Sequence, residues 1–192
     1  PFDSVDKSKE DAFREVKKLF DELSDNVLLF LTNIHTLEWQ IASSKVHKIT
    51  KEKNNELVKI KNTQKETIQW LVFDKDFEYE GVDKPLTLSI AFKFDKKKGI
   101  VPIKGDVSIF FPAKKETSNL KFHIDGPFAS TVARDSIVDS TENDEMMEDI
   151  VTLCRESMNK IRDQGLLKPT FFEVLPNAED EIDIFYQPIL RA

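Results

Sequence analysis

Between Leu86 and Phe94 the chain alternates without a break: Leu86, Leu88, Ile90, Phe92 and Phe94 fall on one side, and Thr87, Ser89, Ala91 and Lys93 on the other. A period of two puts all the apolar bulk on one face of an extended strand. A strand must find partners for its backbone N–H and C=O groups, so this segment calls for a sheet with one covered face. Other segments supply the partners. Asn26 to Ile34 is a continuous apolar run of the kind expected of a central strand, and Leu37, Trp39 and Ile41 alternate after it. Val46–Ile49 and Leu57–Ile60 are shorter candidates, joined through the Lys/Glu/Asn stretch at 51–55, and Ile68–Phe73 is another apolar run. Val107, Ile109 and Phe111 continue the sheet, and Leu120, Phe122 and Ile124 add one more strand.

Two helices flank these strands. Ser8 precedes a stripe of Ala12, Phe13, Val16, Leu19, Phe20 and Leu23. A second helix is expected over 142–164, with Thr141 and Asp144 as a capping box and Met146, Met147, Ile150, Val151, Cys154, Met158 and Ile161 as its inner face. Gly165 stands where a C-cap glycine belongs. Pro169–Leu175 forms a short further helix in this reading, and the acidic stretch 178–183 a linker. The expected fold class is α+β: a mostly antiparallel sheet of six to eight strands with helices packed on one face.

Composition then narrows function. The chain has 192 residues, 40% hydrophobic and 33% charged, enough for a real core. Fifteen Phe against 2 Tyr and 2 Trp indicate aromatic bulk used for filling. A net charge of -7 argues against general nucleic-acid binding. The single cysteine, Cys154, excludes a disulfide scaffold and fits a reducing, cytoplasmic compartment. No apolar run is long enough to span a bilayer, and the charged N-terminal stretch is no signal peptide. The chain opens at Pro1 without an initiator Met and runs straight into a helix, so part of a larger protein is expected.

A search for chemistry finds no complete active site. The 5 glycines never form G-x-G. The stretch Gly99–Gly105 is one residue too long for a P-loop, contains Pro102, and continues into Asp106. Asp163-Gln164-Gly165 lacks the second glycine of an adenine-binding turn, since Leu167 stands there. His35, His47 and His123 share no ligand spacing, so no metal site is expected. Cys154 lies on an apolar helix face, and no Ser, His and acid form a local nucleophile motif.

One succession is more specific: Ile109-Phe-Phe-Pro-Ala-Lys-Lys-Glu-Thr117, Leu120-Lys-Phe-His-Ile-Asp-Gly-Pro-Phe128, then Arg134-Asp-Ser-Ile137 ahead of the capped helix. It resembles the region that follows the ATP-binding domain in GHKL-type ATPases, above all the sacsin-like bacterial proteins and, more distantly, the HtpG-type heat-shock chaperones. Leu28–Ile34 resembles the opening of that region, and Gly165–Leu167 with Phe172–Pro176 its close, so the likeness spans about residues 26–176. The resemblance implies a ribosomal S5-like transducer or middle domain over 26–176, a connecting helix over 1–25, and an acidic linker over 177–192. It implies that ATP and Mg are held by a preceding nucleotide-binding domain of the same chain, with no cofactor bound by this chain alone. It further implies a protein client and a homodimer of the parent ATPase.

In the chaperones a basic residue just ahead of a helix reaches the γ-phosphate, in a segment similar to Ala133-Arg134-Asp135-Ser136-Ile137. Arg134 is therefore the candidate phosphate contact, with Lys114 and Lys115 as further ligand or interface candidates. The surface alternative for Arg134 is an ion pair with Asp135 or Asp139. Departures from the family pattern are Thr117-Ser118-Asn119-Leu120, one residue longer than the family's Thr-Gly-Leu, and Asp135 in place of a second Arg. Two other classes stay open: a protein-interaction module without phosphate chemistry, and a nucleic-acid effector segment using Lys45, Lys48, Lys51, Lys53, Lys59, Lys61 and Lys65.

Overall fold

In chain order the elements are α1 (Lys9–Asp21), β1 (Thr36–Trp39), β2 (His47–Asn54), β3 (Leu57–Lys61), β4 (Thr67–Phe77), β5 (Leu86–Asp95), β6 (Gly99–Ile100), β7 (Val107–Ile109), β8 (Phe111–Pro112), β9 (His123–Asp125), α2 (Thr141–Asp163) and α3 (Tyr186–Leu190). This computed structural model describes residues 8–78, 83, 85–109, 111–113, 115–132, 135–177, 180 and 186–191. Among them the chain is an α+β fold, a mostly antiparallel open sheet in the hydrogen-bonded order β1-β2-β3-β4-β5-β9-β7-β8, with β6 paired to β5. Two compact units divide it: Pro1–Lys51 with Ile60–Thr67, and Glu52–Lys59 with Ile68–Ala192.

In the second unit the alternating segment is the central strand. β5 pairs antiparallel with β4 from Gln69↔Phe94 to Phe77↔Leu86, and with β9 through Ile90↔Ile124. Leu88, Ile90 and Phe92 meet Ile150, Leu153 and Ile161 of α2 in one core. Phe92 lies edge-on to Phe73 at 6.1 Å and tilted on Phe122 at 4.7 Å, so these three phenylalanines fill the interior here. Ser89 and Ala91, on the other face, are buried as well. The Ser89 hydroxyl donates to Asp74 Oδ1 at 2.7 Å, which satisfies it there.

α2 starts one residue earlier than expected. Ser140 is the N-cap, its hydroxyl accepting the N–H of Asn143 at 3.3 Å, in place of a box formed by Thr141 and Asp144. Its C-terminus is as expected: Gly165 has φ +69, and Leu166 N–H donates to the Ile161 carbonyl at 3.0 Å. Pro169–Glu173 is a 3-10 turn that buries Phe171. α3 stands where the sequence offers no periodic signal, and it buries Ile189.

Two strand expectations are corrected. Val107, Ile109 and Phe111 do not share one strand, because the chain reverses so that Ile109 pairs with Phe111 across β7 and β8. Apolar residues two apart satisfy both readings, and Pro112, without an N–H, suits the short outer strand it occupies. β7 instead runs parallel to β9, with Val107 opposite Ile124.

The other correction lies in the first unit. Asn26–Ile34 is not a central strand. Ser24 Oγ accepts the Asn26 N–H at 3.2 Å and starts a 3-10 turn over Asp25–Leu28, burying Val27, Leu28 and Leu29. A short apolar run marks burial, and a buried turn shows it as well as a strand does. β1 pairs antiparallel with β2, with Leu37 opposite Ile49. β2 continues through the stretch expected to be a connection and ends at Asn54, with Asn55 at φ 51 making the turn. No residue of α1 is buried.

Candidate functional site

Between β9 and α2 the chain forms a loop in which residues 129–132 pair back onto residues 135–138. Ser130 and Ile137 form an antiparallel bridge. Thr131 N–H donates to the Ser136 carbonyl at 3.0 Å, and Val138 N–H to the Ala129 carbonyl at 3.0 Å. Asn143, buried in the first turn of α2, holds both ends. Its Oδ1 accepts the Ala129 N–H at 2.8 Å, and its Nδ2 donates to the carbonyls of Ala129 at 3.0 Å and Val138 at 2.7 Å.

A second segment, 113–116, fastens the flank of this loop. Lys115 N–H donates to the Asp135 carbonyl at 2.9 Å, and Lys115 Nζ lies 2.7 Å from Asp135 Oδ2. Glu116 Oε1 accepts from Ser136 Oγ at 2.8 Å and from the Ile137 N–H at 2.7 Å. The Lys115 ammonium hydrogen-bonded to Asp135, with the Thr131 hydroxyl also donating to it, holds that carboxyl below its usual range.

Arg134 and Lys114 lie outside the described residues. Lys115 is engaged with Asp135, so the acid proposed as a surface partner of Arg134 already has a lysine and a threonine on it. The two segments nominated from sequence, 114–115 and 133–137, are thus brought together through their described members. Asn143 and Glu116 hold the arrangement and were not singled out by sequence. From sequence the cap falls at Thr141, which gives Asn143 no place of its own; the structure puts the cap at Ser140.

The remaining sequence candidates occupy structural roles. Burial pushes the Cys154 thiol up to about 12, which keeps it protonated and poorly nucleophilic. His123 is buried beside Trp70 at 4.9 Å, and its Nδ1 accepts the Asp106 N–H at 2.9 Å. Burial lowers its pKa, with the Asp106 carboxylate opposing that shift. His47 stacks on Trp39, which stacks in turn on Phe20. Three lysines of the 45–65 stretch have individual partners: Lys51 is buried with its ammonium on the Leu31 carbonyl, Lys48 pairs with Glu38 and Lys53 with Asp74. Among the described residues, no three or more His, Cys, Asp or Glu side chains stand together to hold a metal ion. No helix among them is long and apolar enough to cross a membrane.

No family model, no curated protein and no solved structure matches this chain.

Proposed function

We propose that this chain is the transducer, or middle, domain of a GHKL-type ATPase, and that the Ala129–Val138 loop is the part that meets nucleotide bound elsewhere in the parent protein. The observation that carries this reading is the double fastening of that loop, by Asn143 at its root and by Lys115 and Glu116 along its flank. A residue that completes another domain's active site must be aimed before the domains close, and a loop tied between a sheet and a long helix meets that need. Within the Ser130–Ile137 bridge, Val132 is fully exposed.

Arg134 belongs to that segment by sequence. Its guanidinium carries a permanent charge and a fork of donors suited to phosphate oxygens, so it would stabilise charge that develops during phosphoryl transfer. ATP and Mg would be held by the preceding domain. Lys114 is the second basic candidate by sequence; Lys115 acts as a clamp through Asp135.

The test uses the parent ATPase with Arg134→Ala and Arg134→Lys. ATP binding should persist in both, while turnover in the Ala variant falls by on the order of a hundredfold or more, with partial recovery in the Lys variant. Turnover unchanged in Arg134→Ala, or a parent chain without a nucleotide-binding domain ahead of this one, would sink the proposal.

A further inference from the structure

A groove of about 790 Å³ runs along α2. Its wall on the helix is a stripe at helical spacing, Asn143, Met147, Val151 and Arg155, with Asp144, Glu148 and Thr152 beside it. From Asn143 to Arg155 that is about 18 Å of helix at 1.5 Å per residue. Ile137, Val138 and Asp139, with Phe128 and with Pro188 of α3, complete its lining.

Three properties of this groove point to one kind of occupant. Its apolar lining keeps solvent on it: Ile137, Met147 and Val151 are half-buried and Val138 is exposed, and all four line the groove. The rim is charged and uncompensated. Among the described residues, Asp139, Asp144, Glu148 and Arg155 have no ion-pair partner. The acids sit toward the N-terminal end of α2 and Arg155 toward the other, so the rim has a direction. Finally, the walls are preformed, because Asn143 and Glu116 fix the Ile137–Val138 side by hydrogen bonds of 2.7 Å each.

We propose that this groove binds a short amphipathic polypeptide helix from a partner protein, with two or three apolar residues laid against Met147, Val151 and Ile137 and basic residues set against Asp139, Asp144 and Glu148. The length of the groove, an apolar floor and a three-to-one acidic rim match a helix lying alongside a helix. A compact small molecule would leave most of that length uncovered. Arg155 sets the polarity, so the partner's basic end lies over the start of α2 and its neutral or acidic end over Arg155. This surface shares Ile137 and Val138 with the loop assigned to nucleotide, but binding there needs no nucleotide.

The test uses this chain alone, so its outcome is separate from that of the ATPase proposal. The probe is a fluorescein-labelled helical peptide of about twelve residues, matching the groove length, with Leu on one face and Lys clustered at one end. A second peptide replaces each Lys by Glu. Anisotropy titrations should show saturable binding of the Lys peptide and none of the Glu peptide. Asp139→Lys with Glu148→Lys should weaken the Lys peptide by about tenfold or more and admit the Glu peptide. Met147→Ala with Val151→Ala should weaken binding while leaving its salt dependence unchanged. Glu142→Lys with Glu145→Lys makes the same change in net charge near the start of α2 but outside the groove, and should bind as the unaltered chain does. Equal loss in that control would mean general attraction to an acidic protein and would overturn the proposal, as would the absence of saturable binding. Self-association abolished by Met147→Glu would also overturn it, because the occupant would then be a second copy of this chain.

Discussion

Helices α1 and α2 begin alike: each starts from a serine, Ser8 or Ser140, whose hydroxyl accepts the N–H three residues on, and each carries an apolar stripe. Their fates within their own units differ. α2 buries Met146, Ile150, Leu153, Cys154 and Ile161, and Asn143 and Ser157 with them, whereas α1 buries nothing and leaves Phe13 53% and Leu19 58% exposed. The lesson concerns what periodicity means. An amphipathic pattern shows that a helix has a face to offer, and only the fold decides whether a partner is there to take it.

The largest effect that would break the comparison is a pair of truncations. Ile150→Ala removes methylenes from a fully buried site in α2 and should cost about 2–5 kcal/mol in urea denaturation. Leu19→Ala in α1 should stay within about 0.5 kcal/mol, as surface substitutions do. Equal costs would mean that the α1 stripe is covered in solution.

A smaller effect sharpens the contrast. Ser140→Ala should lower global stability by about 1 kcal/mol, because α2 is part of the cooperative core. Ser8→Ala removes the same kind of cap, yet should only fray α1. Amide exchange would then quicken over residues 9–13 while the denaturation midpoint holds. A shift of that midpoint comparable to the one from Ser140→Ala would show that α1 is part of the same cooperative unit.

The same distinction governs how much of the molecule was legible in its sequence. β5 and α2 were plain because their periods, 2 and 3.6, are properties of consecutive residues and both faces are set by one core. Asn26–Ile34 was not, since a run of apolar residues announces burial without announcing geometry, and the deciding contact is the small one from Ser24 Oγ to Asn26 N–H. The candidate site divides in the same way. Sequence nominated the segments around Lys115 and Asp135 but had no means of joining them, because the bonds from Glu116 to Ser136 and from Asn143 to Ala129 link residues 14 or more apart. Asparagine and glutamate at such places resemble any polar surface residue until the fold brings their partners to them.

The smallest expected effect concerns the approach to each helix. α1 follows a cap whose partners are exposed, while α2 follows a loop held partly by the Lys115–Asp135 pair. The Asp135 carboxyl titrates below the ordinary carboxylate range because Lys115 and Thr131 hydrogen-bond its charged form. The fastening is therefore fully present above the unfolded value near 3.9, and is lost as pH falls through the lower folded value. In an NMR titration the Asp135 carboxyl should follow that lowered midpoint, and the Thr131 and Val138 amides should exchange faster below it. Lys115→Met should return the Asp135 midpoint toward the usual range and loosen those amides at neutral pH, with little change in global stability because the lysine is solvent-exposed. An Asp135 midpoint that does not respond to Lys115→Met would remove the ion pair from the clamp and leave Asn143 and Glu116 to hold the loop alone.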